Sequence, residues 1–368
     1  MNESNEKYVV LEGTPFNRGL VHGKTLKQEI IKIINVWKTS LQKQIGSDPD
    51  AYINKFLDNT NYLPAIEKYT PDLLEEVKGI AEGSGIAFNT LYAFQLLDEF
   101  IYNGEDIHGE HCSTIGLNKL GDQPAYLAQN WDIGAHMHGF QTTLHIKNED
   151  SGIESFIFSY AGFIAAFGMN NKRVGVCVNS IGQLNYAREG LPVAFVVRGA
   201  LEQPDQQEAI NFLHEIKHAS PQNYLIGGPK RIHDFECSTN QITPFVNREG
   251  SEVVYHTNHA LANDDYNAKH LDFIKNHDEQ EIKKDNSHTR FDALEKRLNV
   301  SPEHITFDTI KAALSSHDSD EHPVCMNYKE NAPLYNLGST IMVLSGAPEF
   351  HIAFGPPDVT PHIIYKFA

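Results

Sequence analysis

HCSTIG, residues 111–116, marks the place where the hydrophobic period of this chain changes, and together with AQNWDIG, residues 128–134, it decides the fold. Upstream the period is helical. From Lys24 to Ile45 the apolar residues Leu26, Ile30, Ile33, Ile34, Trp37, Leu41 and Ile45 recur at steps of three and four, which predicts one amphipathic helix. Thr70 and Pro71 supply the cap and first-turn proline of a second helix bearing Leu73, Leu74, Val77 and Ile80, stopped by Gly83-Ser84-Gly85. Asn89 is expected to cap a third. A short strand is expected at Tyr8 to Leu11, before Gly13.

Downstream of Cys112 the segments shorten. Ala125 to Trp131, Thr142 to Lys147, Glu154 to Tyr160 and Arg173 to Asn179 are rich in β-branched and aromatic residues and are separated by Gly, Asn and Asp, as in an antiparallel sheet. A helical stretch from Pro192 to Ala219, broken near Pro204, precedes strands near Tyr224 and at Arg231 to Cys237, Ile242 to Val246 and Glu252 to Thr257. Helices return at Ser287 to Leu298 and Thr306 to Leu314, and strands at Ser339 to Ser345 and Phe350 to Phe354 close the chain. The alternation predicts a layered α+β architecture in which helices cover two stacked sheets.

A chain of 368 residues with 40% hydrophobic and 21% charged residues supports a substantial core in one large or two ordinary domains. Its formal net charge of -18 opposes polyphosphate, so no nucleic-acid partner is expected. MNESNEKYVVLEG has neither the charged start nor the apolar run of a secretory signal, and no stretch is long and apolar enough for a membrane span. The expectation is a cytoplasmic protein that makes no membrane contact. Cys112, Cys177, Cys237 and Cys325 are widely separated, with no CxxC, which fits reduced thiols better than a disulfide or zinc framework.

Cys112 ends the polar, glycine-containing run GEDIHGEHC and begins a strand, an accessible place for a reactive thiol. A cysteine at a new N-terminus would carry its own base, because an α-amine titrates near neutrality. Locally the same residue also reads as a small buried strand residue. A hairpin turn at Leu120-Gly121-Asp122 would bring Asp132 back beside Cys112, where its carboxylate could bind an ammonium or orient the thiol, or simply cap a turn with Gly134. Asn258 in VVYHTNHA and, ranked below it, Asn179 in RVGVCVNS stand at strand exits, where an amide could serve an oxyanion or close a turn. Arg290 in SHTRFDAL lies near a helix start, unfavourable for a cation, which reads as an arginine with a carboxylate partner or as a solvated surface arginine.

Histidine is abundant, at 19 copies, but His136-Met137-His138, the HTNH stretch and His317 to His322 show no HExxH or finger spacing. No catalytic metal and no cofactor are expected. A papain-like pairing of Cys112 with His256 or His259 lacks the helix that should follow such a cysteine.

Taken in order, EGTPFNRGLVHG (12–23), HCSTIG, AQNWDIG, SYAGFIAAFGMNNKRVGVCVNS (159–180), GLPVAFVVRGALE (190–202), VVYHTNHA (253–260), SHTRFDAL (287–294) and GSTIMVLSGAPEFHIAFGPP (338–357) resemble the acyl-CoA:6-aminopenicillanic-acid acyltransferase family. That family is a branch of the N-terminal-nucleophile hydrolases related to bile-salt hydrolases and penicillin V acylases. The resemblance implies a four-layer αββα sandwich with a mainly helical N-terminal segment. It implies Cys112 as nucleophile, Asp132 as its ammonium-binding and orienting partner, Asn258 as oxyanion donor, Arg290 in the surrounding electrostatics and Asn179 as a second oxyanion asparagine. It also implies a zymogen that cuts itself autocatalytically between His111 and Cys112, leaving 1–111 and 112–368 associated, and a small-molecule amide or acyl substrate. His111 is a departure, since the fungal acyltransferases place glycine there. The competing expectations are a non-processing member that binds an acylated or peptide ligand, and an uncut thiol protease.

Overall fold

The computed structural model describes residues 7–103, 111–278, 285–329 and 332–367; the polar run just before His111 lies outside them. In chain order the elements begin with β1 (Tyr8–Leu11), α1 (Pro15–Thr25), α2 (Lys27–Ile45), α3 (Pro49–Asp58), α4 (Leu63–Tyr69), α5 (Pro71–Ser84), α6 (Phe88–Phe94) and α7 (Leu97–Asn103). They continue through β2 (His111–Leu117), β3 (Tyr126–Gly134), β4 (Gln141–Asn148), β5 (Ile153–Tyr160), β6 (Phe167–Asn170), β7 (Gly175–Ser180), α8 (Val193–Leu201) and α9 (Gln206–Glu215). The last are β8 (Gln222–Gly227), β9 (Ile232–Cys237), β10 (Ile242–Phe245), β11 (Val253–His256), α10 (Ala268–Asn276), α11 (Asn286–Leu298), α12 (Phe307–Leu314), β12 (Leu334–Val343), β13 (Glu349–Ala353) and β14 (Ile363–Lys366). The chain folds as two units: Met1–Gly109 with His136–Lys172 and Ala187–Ser220, and Glu110–Ala135 with Arg173–Tyr186 and Pro221–Ala368.

In the first unit β1 runs parallel to β4, and β4, β5 and β6 pair antiparallel. Trp37 of α2 and Phe94 of α6 meet Tyr160 of β5 and Phe163 in an aromatic core between helices and strands. The helix expected from Lys24 to Ile45 is α2, which starts at Lys27; Leu26, whose φ of -106° and ψ of 25° leave the helical region, breaks it from α1. The break frees α1 to lie on α5. Gly19 and Gly23 face Gly79 and Gly83 so closely that a Cβ on Gly19 would stand 1.9 Å from the Glu76 carbonyl oxygen, and one on Gly79 2.2 Å from that of Phe16. Two glycines per helix hid α1 from a reading based on apolar period, because its buried face consists of Gly19, Gly23 and the polar Arg18 and His22. Asn89 does not cap α6; it lies inside the helix, behind the Ala87 cap.

The second unit contains the six-stranded sheet β11-β2-β3-β12-β13-β14 and the antiparallel run β7-β8-β9-β10. Gln129 of β3 stitches one to the other: its Nε2 donates to the Val178 carbonyl of β7 over 2.7 Å, and its Oε1 accepts from the Val178 N–H over 3.0 Å. The opposite face of the six-stranded sheet is covered by α11 and α12. Ile115, Leu117 and Ala128 from the strands pack there with Leu294, Leu298, Ile310 and Leu314 from the helices. Sheet, sheet and helix follow one another in this unit, and helices pack with strands in the first, giving the α+β sandwich that the alternating periods predict. Strand β14 escaped the sequence reading, and so did α10, which buries no side chain.

The β2–β3 hairpin is the one expected. Leu120 and Gln123 exchange backbone hydrogen bonds around Gly121, whose φ of +54° suits glycine. His111 then pairs with Asp132 and Cys112 with Trp131.

Candidate active site

Directly opposed residues of an antiparallel pair project to the same face of the sheet, and neighbours along a strand to opposite faces. The register therefore sends His111, Ser113, Asn130 and Asp132 toward the helical layer, and Cys112, Thr114 and Gln129 toward the second sheet. Asp132 returns beside Cys112 as expected, but on the far side of the strand from the thiol. In the strand register Asp132 lies opposite His111, the residue before Cys112.

The backbone of Cys112 is held at both ends. Its N–H donates to Asn258 Oδ1 over 2.8 Å, and its carbonyl accepts from Arg290 Nη1 over 2.5 Å. Arg290 Nη2 reaches the same Asn258 oxygen over 2.8 Å, closing a ring of three residues from β2, the end of β11 and α11. Arg290 also donates to Ser113 Oγ and, through Nε, to Asn286 Oδ1. Among the described residues this arginine has no carboxylate contact: the oxygens it touches there belong to neutral groups, and Asp132 acts on it through space. Arg290 is fully buried, and burial pushes its guanidinium below the usual arginine range while Asp132 pulls it back up.

Asp132 is fully buried too. Asn336 Nδ2 donates to its Oδ1, and Oδ2 has no hydrogen-bond partner among the described residues. Burial pushes this carboxyl up to about 8, against the pull of Arg290. His111 hydrogen-bonds Asn286 Oδ1 through Nδ1 at 2.9 Å; burial first, and then Arg290, lowers its imidazole to about 4, so it is neutral at pH 7.

The two asparagines differ in what their amide nitrogens meet. Asn258 Nδ2 is spent on the Ser180 carbonyl over 3.0 Å, so its amide nitrogen braces β7. Asn179 is held by its oxygen, which accepts from Thr114 Oγ1 over 2.9 Å and from Asn223 Nδ2 over 3.4 Å. Its Nδ2 is buried with no partner among the described residues. Thr114 lies on the thiol face of β2, two residues from Cys112, so Asn179 offers an unused N–H donor to that face. An unpaired buried donor is costly and uncommon.

A second buried cluster fixes the segment that carries Asn258. Glu236 accepts from His256 Nε2 over 2.8 Å and from the N–H groups of Leu261, Ala262 and Asn263. Burial opposes charge on both partners, yet His256 is raised by Glu236, and Glu236 is lowered by His256 and the surrounding N–H groups. Ser287 Oγ accepts from the Asn258 N–H over 2.7 Å, and His259 Nδ1 lies 2.8 Å from the same Oγ. The other nitrogen of His256 faces the Thr257 carbonyl, so its ring is committed to this scaffold. Asn286, Ser287, Ser180 and Asn336 were not legible in the sequence. Ser287 stands beside Arg290 in SHTR, whereas Asn336 carries no local signal.

Stacked sheets and a helical cover frame this site, with Cys112 in strand β2. The chain belongs to the acyl-coenzyme A:6-aminopenicillanic acid acyl-transferase family, whose model matches residues 119–349. The match takes in Asp132, Asn179, Asn258 and Arg290 and begins just after Cys112. The chain is similar to the acyl-coenzyme A:6-aminopenicillanic-acid-acyltransferase 40 kDa form of Emericella nidulans, at 24% identity over 340 residues, covering 91% of this chain and 87% of that one. It is 29% identical over 229 residues to protein dcd1A of Dictyostelium discoideum, covering 55% of this chain and 51% of that protein, so it spans about half the length of that relative. Among solved structures it is similar to a Caenorhabditis elegans N-acylethanolamine-hydrolyzing acid amidase ortholog, at 16% identity, 64% and 94% coverage and a TM-score of 0.43. It is also similar to a conjugated bile acid hydrolase from Clostridium perfringens, at 11% identity, 69% and 97% coverage and a TM-score of 0.41. No helix among the described residues is long and apolar enough to cross a membrane.

Proposed function

We propose that the protein is a cysteine amidohydrolase that matures by cutting its own chain between His111 and Cys112, and then hydrolyses the amide bond of a small N-acyl substrate. One observation carries this reading. Both backbone groups of Cys112 are fixed by Asn258 and Arg290, which is more positioning than a buried strand cysteine needs.

In maturation the thiol adds to the His111 carbonyl carbon, the C–N bond to Cys112 breaks, and the acyl group passes to sulfur. Water then opens the thioester, leaving a carboxylate on His111 and a thiol and an α-amine on Cys112. The new α-amine titrates at roughly 8, close to neutrality. Asp132, with one oxygen unpaired and buried, is the counter-charge for its ammonium form. The cut would divide the chain into a mainly helical 1–111 and a catalytic 112–368 that stay associated.

In turnover the α-amine takes the thiol proton, and Sγ attacks the substrate carbonyl. The N–H of Asn179 stabilises the tetrahedral oxyanion, while Asn258 keeps the nucleophile's backbone in place. The amine leaves with a proton, and water releases the acid. The same thioester could pass its acyl group to an amine; hydrolysis needs no site for a second organic substrate. The commitment of His256 to Glu236 gives an uncut cysteine–histidine protease no support.

Intact mass spectrometry of freshly purified protein tests the first half, and a panel of N-acyl amides tests the second. Two fragments meeting at His111 and Cys112, absent together with hydrolysis in Cys112→Ala, are expected. A single uncut chain with full amidase activity would overturn the reading.

A further inference from the structure

Away from the Cys112 site, three segments of the second unit bring different donor types to one point. His317 follows α12, Cys325 lies in the stretch leading to β12, and Asp358 follows β13. Their donor atoms all lie within 4.8 Å of one another, the group of this kind found among the described residues. His317 Nε2 is 2.9 Å from Asp358 Oδ2, and the Cys325 thiol donates to Asp358 Oδ1 over 3.3 Å.

The positions are set by backbone, not by the side chains' own contacts. The Cys325 N–H donates to the Ser316 carbonyl over 3.0 Å, and the next N–H, of Met326, donates to Asn336 Oδ1 over 2.6 Å. Asp358 sits in a turn closed by the Thr360 N–H on the Pro356 carbonyl over 2.9 Å, and Asn327 Nδ2 donates to its Oδ2 over 3.0 Å. Cys325 is fully buried, whereas the side chains of His317 and Asp358 are 45% and 20% exposed. The cluster is thus closed on the thiol side and open to solvent on the other.

We propose that His317, Cys325 and Asp358 bind Zn2+ through Nε2, Sγ and a carboxylate oxygen, with solvent as the fourth ligand. Imidazole, thiolate and carboxylate are the donors that this borderline-soft ion accepts in a tetrahedron. Metal–ligand bonds of about 2.0–2.3 Å place tetrahedral ligands about 3.3–3.8 Å apart. The distances on either side of Asp358 need only small side-chain rotations to meet that. Binding replaces the thiol proton, which passes to buffer, and requires the His317 tautomer with hydrogen on Nδ1. Asn327 is the outer partner that orients the carboxylate. The bound ion would clamp the Asp358 turn to the Cys325 segment. That segment holds Asn336 through Met326, and Asn336 in turn donates to Asp132.

The test is titration of the full-length protein with Co2+, read by the thiolate-to-cobalt charge-transfer band, followed by Zn2+ displacement. The band is expected in the native protein and in Cys112→Ala, absent in Cys325→Ser, and lost from the native protein on adding one equivalent of Zn2+. His317→Ala, a change at a half-exposed position, should weaken Zn2+ binding at least tenfold and decides the question if Cys325→Ser does not fold. Three results would each overturn the proposal: no band in the native protein, a band that follows Cys112 instead of Cys325, or unchanged affinity in His317→Ala. None of them depends on whether the chain cuts itself.

Discussion

The amide nitrogen of Cys112 and the guanidinium of Arg290 converge on one oxygen, Asn258 Oδ1, each at 2.8 Å. That oxygen joins the first residue after the proposed cut to a cation supplied by the helical layer. Asn258 therefore holds the backbone of Cys112, which in the proposed mechanism makes it the clamp on the nucleophile.

Asn258→Ala should fold and cut itself slowly. Removing the acceptor frees the Cys112 N–H and leaves Arg290 short of one partner, and a misplacement of about 1 Å can cost roughly a hundredfold in rate. A time course on denaturing gels after expression reads it. Cleavage at the native rate would show that the clamp is only structural.

Asn179→Ala should have its main effect on turnover. Loss of one oxyanion donor costs about 10²–10³ in kcat, with KM little changed. The comparison with Asn258→Ala is informative because the sequence ranked the two asparagines the other way. Equal loss of kcat in the two variants, or none in Asn179→Ala, would return the oxyanion role to Asn258.

Asp132 gives the uncut chain a distinctive pH dependence. Its carboxyl titrates near 4 when unfolded and at about 8 when buried, so folding takes up a proton between those values. Its contribution to stability is present at low pH and lost as pH rises through that window. In a Cys112→Ala background, Asp132→Asn should gain in urea midpoint relative to its parent from about pH 5 to about pH 8. Parallel profiles would mean that Asp132 is not protonated in the uncut fold. After the cut, the α-ammonium of Cys112 favours the carboxylate, so mature protein should show a weaker trend.

Gly79→Ala should destabilise the first unit by about 3 kcal/mol or more, because its methyl group meets the Phe16 carbonyl of α1 and backbone cannot rotate away. Thermal unfolding measures it. Gly121→Ala is the contrast: open space surrounds that glycine, so the change costs only the strain of φ +54°.

Several features were legible from local order alone. The switch from a helical period to short strands at Cys112 gave the α+β class, and the Leu120-Gly121-Asp122 turn gave the hairpin that returns Asp132 to the junction. Helix α1 was not legible, because glycines mediate its packing and a reading by apolar period sees nothing at Gly19 and Gly23. The break at Leu26 was invisible because Leu26 also opens the apolar series of the next helix, while its backbone turns to bring α1 onto α5.

By itself the sequence determined which residues are available and in what order: a cysteine opening a strand, an aspartate one hairpin away, two strand-exit asparagines and an arginine early in a helix. Only the tertiary structure decided what each one faces. Strand alternation put Asp132 and the Cys112 thiol on opposite sides of one sheet. The pairing of Asn258 with Ser180, and of Asn179 with Thr114 and Asn223, settled which amide keeps an unused donor. The reason is physical: periodicity and turns are local properties of the chain, whereas hydrogen-bond partners and burial come from segments tens to hundreds of residues away.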